Sequence, residues 1–65
     1  MKNCFDERER IILKFITKGS TNGEIAKLLN LSEASIKICI RRIMRKTYLK
    51  NRVSLAVFAI EKGIL

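Results

Sequence analysis

The sequence predicts an all-α domain of four short helices. Three observations lead to this. Apolar residues recur at a spacing of three and four in separate stretches, and proline is absent. Each stretch is preceded by a capping signal: Asp6-x-x-Glu9, Thr21-x-x-Glu24, Ser32 and Asn51. Gly19 and Gly63 stand where the first and last stretches run out.

The first helix is expected to open at Asp6, with an acidic first turn that suits the helix dipole. Ile12, Leu13 and Ile16 give its apolar face. Lys18 ends it, and Gly19 supplies the left-handed residue that closes a helix.

The second helix opens at Thr21 and carries Ile25, Ala26, Leu28 and Leu29. Asn30 then tolerates the left-handed conformation of a tight turn. Leu31 can plug that turn from inside, and Ser32 caps the third helix. Two short helices joined by about four residues, the second of them basic, form the layout of a helix-turn-helix.

The third helix contains "SIKICIRRIMRK" (35–46). Its "IKICI" alternates like a strand, but that reading fails at "RRIMRK". On a helical wheel Ile36, Ile40 and Ile43 fall within about 60° of one another. They are the expected core stripe. Lys37, Ile38, Arg41, Arg42 and Arg45 occupy the opposite side. Ile38 is thus an exposed isoleucine ringed by cations.

Residues 48–51 make a short connection. The fourth helix runs from Arg52 to Lys62 and ends at Gly63. Val53, Ala56, Val57 and Ile60 form one apolar face, expected to pack inward. Leu55, Phe58 and Ala59, with Lys62, form the other. A helix apolar on both sides is buried on both sides, so this second face is expected to meet another copy of the chain. In the alternative, the tail Ile64-Leu65 folds back over Phe58.

Charge narrows the function. The chain of 65 residues carries a formal +8, and residues 33–52 hold +6 of it, with seven cations against Glu33 alone. A face that is merely soluble mixes signs, so this concentration points to a polyanion-binding surface. A chain this short hides only about 60% of the surface its unfolded form exposes, and a partner subunit would help it.

Other classes are poorly supplied. There is no His, and Asp6 is the lone aspartate. No Gly-rich phosphate loop or carboxylate cluster is present, so no enzyme is expected. Cys4 and Cys39 form no CxxC, and without His they offer no zinc site; neither metal nor cofactor is expected. Cys39 has no imidazole to activate it and reads as a small packed residue. No apolar run approaches the ~20 residues of a membrane span. The expected location is the cytoplasm, with no membrane partner.

Residues 5–56 resemble the DNA-binding domain of LuxR-type (GerE-like) transcription regulators. Phe5, Arg8, Glu9, Ile12 and Leu13 match the first block of that pattern. Gly19, Thr21, Asn22, Glu24, Ile25 and Ala26 match the second. Leu29, Leu31, Ser32, Ser35, Ile36 and Lys37 match the third; Ile43, Lys46, Leu49, Arg52 and Ala56 match the fourth. The register holds without gaps. Departures fall at Ile11, at Gly23 where a Lys or Arg is usual, at Cys39, and at Thr47-Tyr48 in place of Leu-Gly. Without that glycine the third helix is expected to run on or to close differently.

The resemblance implies a four-helix fold whose third helix enters the major groove of double-stranded DNA, and a dimer contact through the fourth. It places Lys37, Ile38 and Arg41 at base edges, and Thr21, Asn22, Ser35, Arg42, Arg45 and Lys46 at or near the phosphates. Arg52 either joins them or ties the corner between the last two helices. The expectation is therefore a sequence-specific transcription regulator, bound as a homodimer, with RNA polymerase as a further partner. An interaction module that sequesters a related regulator is the alternative. Residues 1–65 are read as this single domain, with no sensory or receiver domain.

Overall fold

A computed structural model describes residues 5–63. The order is α1 (Glu7–Thr17), α2 (Asn22–Leu29), α3 (Glu33–Thr47) and α4 (Arg52–Glu61). The all-α, four-helix expectation holds, and each helix starts where its capping residue placed it.

The caps are built as their spacing requires. Glu9 N–H donates to Asp6 Oδ1 at 2.8 Å, and Asp6 N–H donates to Glu9 Oε1 at 3.1 Å. Thr21 and Glu24 repeat the reciprocal pair on α2. Ser32 Oγ accepts from Ser35 N–H, and Asn51 Oδ1 accepts from Ser54 N–H. Each bond satisfies a backbone donor that the first helical turn leaves without an intrahelical partner. Asn30 closes α2 at φ 58°, and Leu31 N–H then donates to the Ala26 carbonyl.

α1 packs chiefly on α4 and also on α3, and α2 packs on α3. Ile12, Leu13, Ile25, Ile36 and Ile43 are fully buried at the centre, with Leu31 partly buried beside them. Ile36, Ile40 and Ile43 are thus the inward stripe of α3. Cys39 is buried next to them.

Of the face of α4 expected inside, Ala56 packs against the core; otherwise the two faces are exchanged. Leu55 and Ala59 are fully buried in the core of a single chain. Phe58 is half-buried, its ring edge-on to Phe5 with centroids 6.3 Å apart. Leu55, Phe58 and Ala59 are therefore not a surface for a second copy. Lys62, at the end of the helix, is exposed. Val53, Val57 and Ile60, expected inside, are exposed instead. α4 packs chiefly on α1, and it turns inward the side that carries Leu55, Ala59 and the half-buried Phe58. The tail Ile64-Leu65 lies outside the described residues.

At the end of α3, neither a longer helix nor a glycine is found. Tyr48 itself adopts the left-handed conformation, with φ 61° and ψ 21°. Its N–H and that of Leu49 both donate to the Met44 carbonyl, and Leu49 turns in against the core.

Candidate nucleic-acid interface

The outward side of α3 is a consequence of its inward side. Once Ile36, Ile40 and Ile43 are buried, the helical period points Lys37, Ile38, Arg41, Arg42 and Arg45 away from the core. All five are exposed, Ile38 at 56%. None of the four cations is paired with a carboxylate among the described residues. Lys37, Ile38 and Arg41 lie within about one turn, so one patch offers two charged donors beside an apolar side chain. That combination suits a base edge bearing acceptors and a neighbouring thymine methyl.

The N-terminal ends of α2 and α3 supply hydroxyl donors. Thr21 Oγ1 accepts from Glu24 N–H and keeps its own proton to donate. Ser35 Oγ accepts from Ser32 Oγ at 3.0 Å and likewise keeps a proton.

Two residues expected at phosphates have other partners. Lys46 reaches inward, its Nζ 2.8 Å from Oε1 of Glu9, which is 1% exposed. The same ammonium lies 5.6 Å from the centroid of the Phe5 ring. Lys46, whose side chain is 33% exposed, thus joins α3 to α1 through its ammonium and does not stand with the unpaired outward cations expected at the phosphates. Asn22 Oδ1 accepts from Arg52 Nη1 at 2.6 Å. Arg52 Nη2 also donates to the Ser20 carbonyl at 2.7 Å. Arg52 has structural bonds, but not at the corner between α3 and α4 where they were expected: it ties the start of α4 to the entry of α2. Asn22 is its anchor, with its side-chain carbonyl already engaged.

The sequence reading missed the burial of Glu9. Its capping role was legible at a spacing of three. The partner 37 residues away had no local signal.

The family model described as bacterial regulatory proteins, luxR family (GerE), matches residues 4–59. The nitrate/nitrite response regulator protein NarL of Escherichia coli (strain K12) is 37% identical over 62 residues, covering 95% of this chain and 29% of its own length. The HTH-type quorum-sensing regulator RhlR of Pseudomonas aeruginosa is 32% identical over 62 residues, covering 95% of this chain and 26% of its own. The transcriptional regulatory protein YxjL of Bacillus subtilis (strain 168) is 36% identical over 61 residues. The chain spans less than a third of the length of these relatives.

Proposed function

The chain belongs to the luxR family of bacterial regulatory proteins, and on that premise we propose that α3 enters the major groove of double-stranded DNA and reads its sequence to regulate transcription. The observation that supports this most is the outward face of α3: four exposed cations without an acid partner among the described residues, set around Ile38. Arg42 and Arg45, with Thr21 and Ser35, hold the backbone and release counterions; Lys37 and Arg41 donate to guanine O6 and N7. Ile38 meets a thymine methyl.

Selection of bound duplexes from a random pool tests this directly. Against the selected site, Lys37→Ala and Arg41→Ala are each expected to lose about 1–3 kcal/mol of discrimination. Ile38→Ala should relax a thymine preference at one position. Arg45→Ala should weaken all sequences alike and flatten the salt slope by about 1. An Arg45→Ala variant with altered base preference would show that the helix sits differently in the groove. A chain that removes a related regulator from its site without retaining duplex itself would be a sequestering module instead.

The same reading includes a homodimer through α4, which we propose on the apolar face that the fold leaves exposed. Val53, Val57 and Ile60 are exposed on one stripe of the helix. A second copy seated there would place two recognition helices on paired half-sites. Ile60→Glu should leave the monomer folded and shift sedimentation to the monomer. It should also remove the preference for paired half-sites over one. Sedimentation identical to that of the wild type at every concentration would exclude the α4 dimer.

A further inference from the structure

Glu33 is the one acid in the basic stretch 33–52, and the groove-reading face makes no use of it. It is the first residue of α3 and is exposed. Lys37 follows it by four positions, the spacing and order that favour an ion pair along a helix. That pair is not formed. The Glu33 carboxylate joins no ion pair and accepts no hydrogen bond among the described residues. It leans back across the turn instead, onto the first residues of α2.

Gly23 shows where the carboxylate lies. A β-carbon on residue 23 would stand 3.1 Å from Glu33 Oε2 and 3.9 Å from Thr21 Oγ1. The carboxylate and the hydroxyl therefore border the same small space. Gly23 lies inside α2 and does not have a positive φ, so the backbone itself does not call for glycine. A glycine there weakens the helix relative to most residues. What it does provide is room: any side chain at 23 would crowd the Glu33 carboxylate. Glu24 shares this turn, but its Oε1 is held by Thr21 N–H at 2.8 Å.

We propose that Glu33 is an affinity-setting residue: its carboxylate, seated against Gly23, repels the phosphate that meets Thr21 and weakens binding to duplexes of every sequence. The inference rests on the DNA-binding reading above, in which the Thr21 hydroxyl donates to a phosphate. A phosphate oxygen on that hydroxyl stands beside the carboxylate. Two unit charges about 4 Å apart in watery surroundings shift an equilibrium about fivefold. A cation at position 23 would cancel that repulsion, and glycine leaves it in force. The base-reading side chains Lys37, Ile38 and Arg41 lie one and two turns further along α3, so the effect is on affinity and not on base preference.

Glu33→Gln on a mixed-sequence duplex tests this. Affinity should rise about fivefold, and the salt slope should steepen by about 1 as one more phosphate is neutralised. The melting temperature should fall by roughly 2–5 °C, because a carboxylate in the first turn suits the dipole of α3. A purely structural role would lower stability without raising affinity. Glu7→Gln removes a likewise exposed acid from the first turn of α1 and should leave affinity nearly unchanged. Gly23→Lys should raise affinity by itself, and Glu33→Gln should add little in that background. The proposal is overturned if Glu33→Gln binds no more tightly than the wild type. It is overturned too if Glu7→Gln gains as much, which would make the effect one of net charge, or if the substitutions at 23 and 33 are fully additive. Each of these results leaves the DNA reading in place. A wild type that retains no duplex would remove both.

Discussion

Leu55→Ala is expected to destabilise the domain by about 2–5 kcal/mol, whereas Val57→Ala should stay within about 0.5 kcal/mol of the wild type. Both residues lie in the same helix, and composition does not separate them. Leu55 is 0% exposed and Val57 is 47% exposed. Removing Leu55 opens a cavity at the contact of α4 with α1, and a domain this small has little other core with which to fill it. A chain of 65 residues has a total stability of only about 3–10 kcal/mol. The variant should therefore lose a large share of its stability, and its urea midpoint should fall far below that of the wild type. Urea unfolding followed by circular dichroism checks this, provided the slope with denaturant is unchanged. Equal losses at the two positions would mean that the inward face of α4 has been assigned wrongly. Phe58→Glu should likewise unfold the chain rather than split a dimer, because Phe58 packs on Phe5 within one protomer.

How legible each element was depended on how local its signal is. The capping pairs Asp6–Glu9 and Thr21–Glu24 act three residues apart, so the sequence displays them and the structure builds both. The inward stripe of α3 was equally plain, because its other side is charged and only one burial is possible. α4 has no such contrast. Val53, Val57 and Ile60 are as apolar as Leu55, Phe58 and Ala59, so periodicity identifies two stripes and cannot rank them. What ranks them is the packing of α4 on α1, which lies some 40 residues earlier in the chain. The same limit applies to Arg52, whose acceptors on Asn22 and Ser20 are 30 and 32 residues away. A departure from the family pattern at Thr47-Tyr48 was visible in the sequence, but not its outcome. Burial of Leu49 and the backbone bonds to Met44 force the turn to close on Tyr48 despite the missing glycine.

The outward cations were legible as a group, and individually only where the helix period decided them. Lys46 is adjacent to Arg45 and was counted with it. One residue further along a helix rotates a side chain by about 100°, and here that rotation moves Lys46 from the outer face to the flank of α1. Net charge therefore overstates the cations free to meet phosphate.

Lys46→Met should destabilise the fold by about 2–3 kcal/mol while leaving the salt dependence of DNA binding unchanged. Glu9 is 1% exposed, and its Oε1 accepts both Lys46 Nζ and the Asp6 N–H. Its Oε2 is buried with no partner among the described residues. Removing the cation leaves a buried carboxylate without its counter-charge, a change that costs about 3–5 kcal/mol in a fully buried pair. The lower figure applies here because the Lys46 side chain is 33% exposed, and water screens part of the interaction. Methionine keeps much of the apolar stem, so packing on Phe5 is less disturbed than by alanine. In the Glu9→Gln background the same substitution should cost far less, because glutamine keeps the capping bond and carries no charge. Urea unfolding of the two single variants and the double variant gives the coupling as a double-mutant cycle. Duplex binding of Lys46→Met, measured in the cold where it stays folded, completes the test. A stability equal to that of the wild type, together with a salt slope lower by about 1, would return Lys46 to the phosphates. The reverse pattern fixes it as the internal charge that holds α3 against α1, and thereby sets the angle at which Lys37, Ile38 and Arg41 are presented.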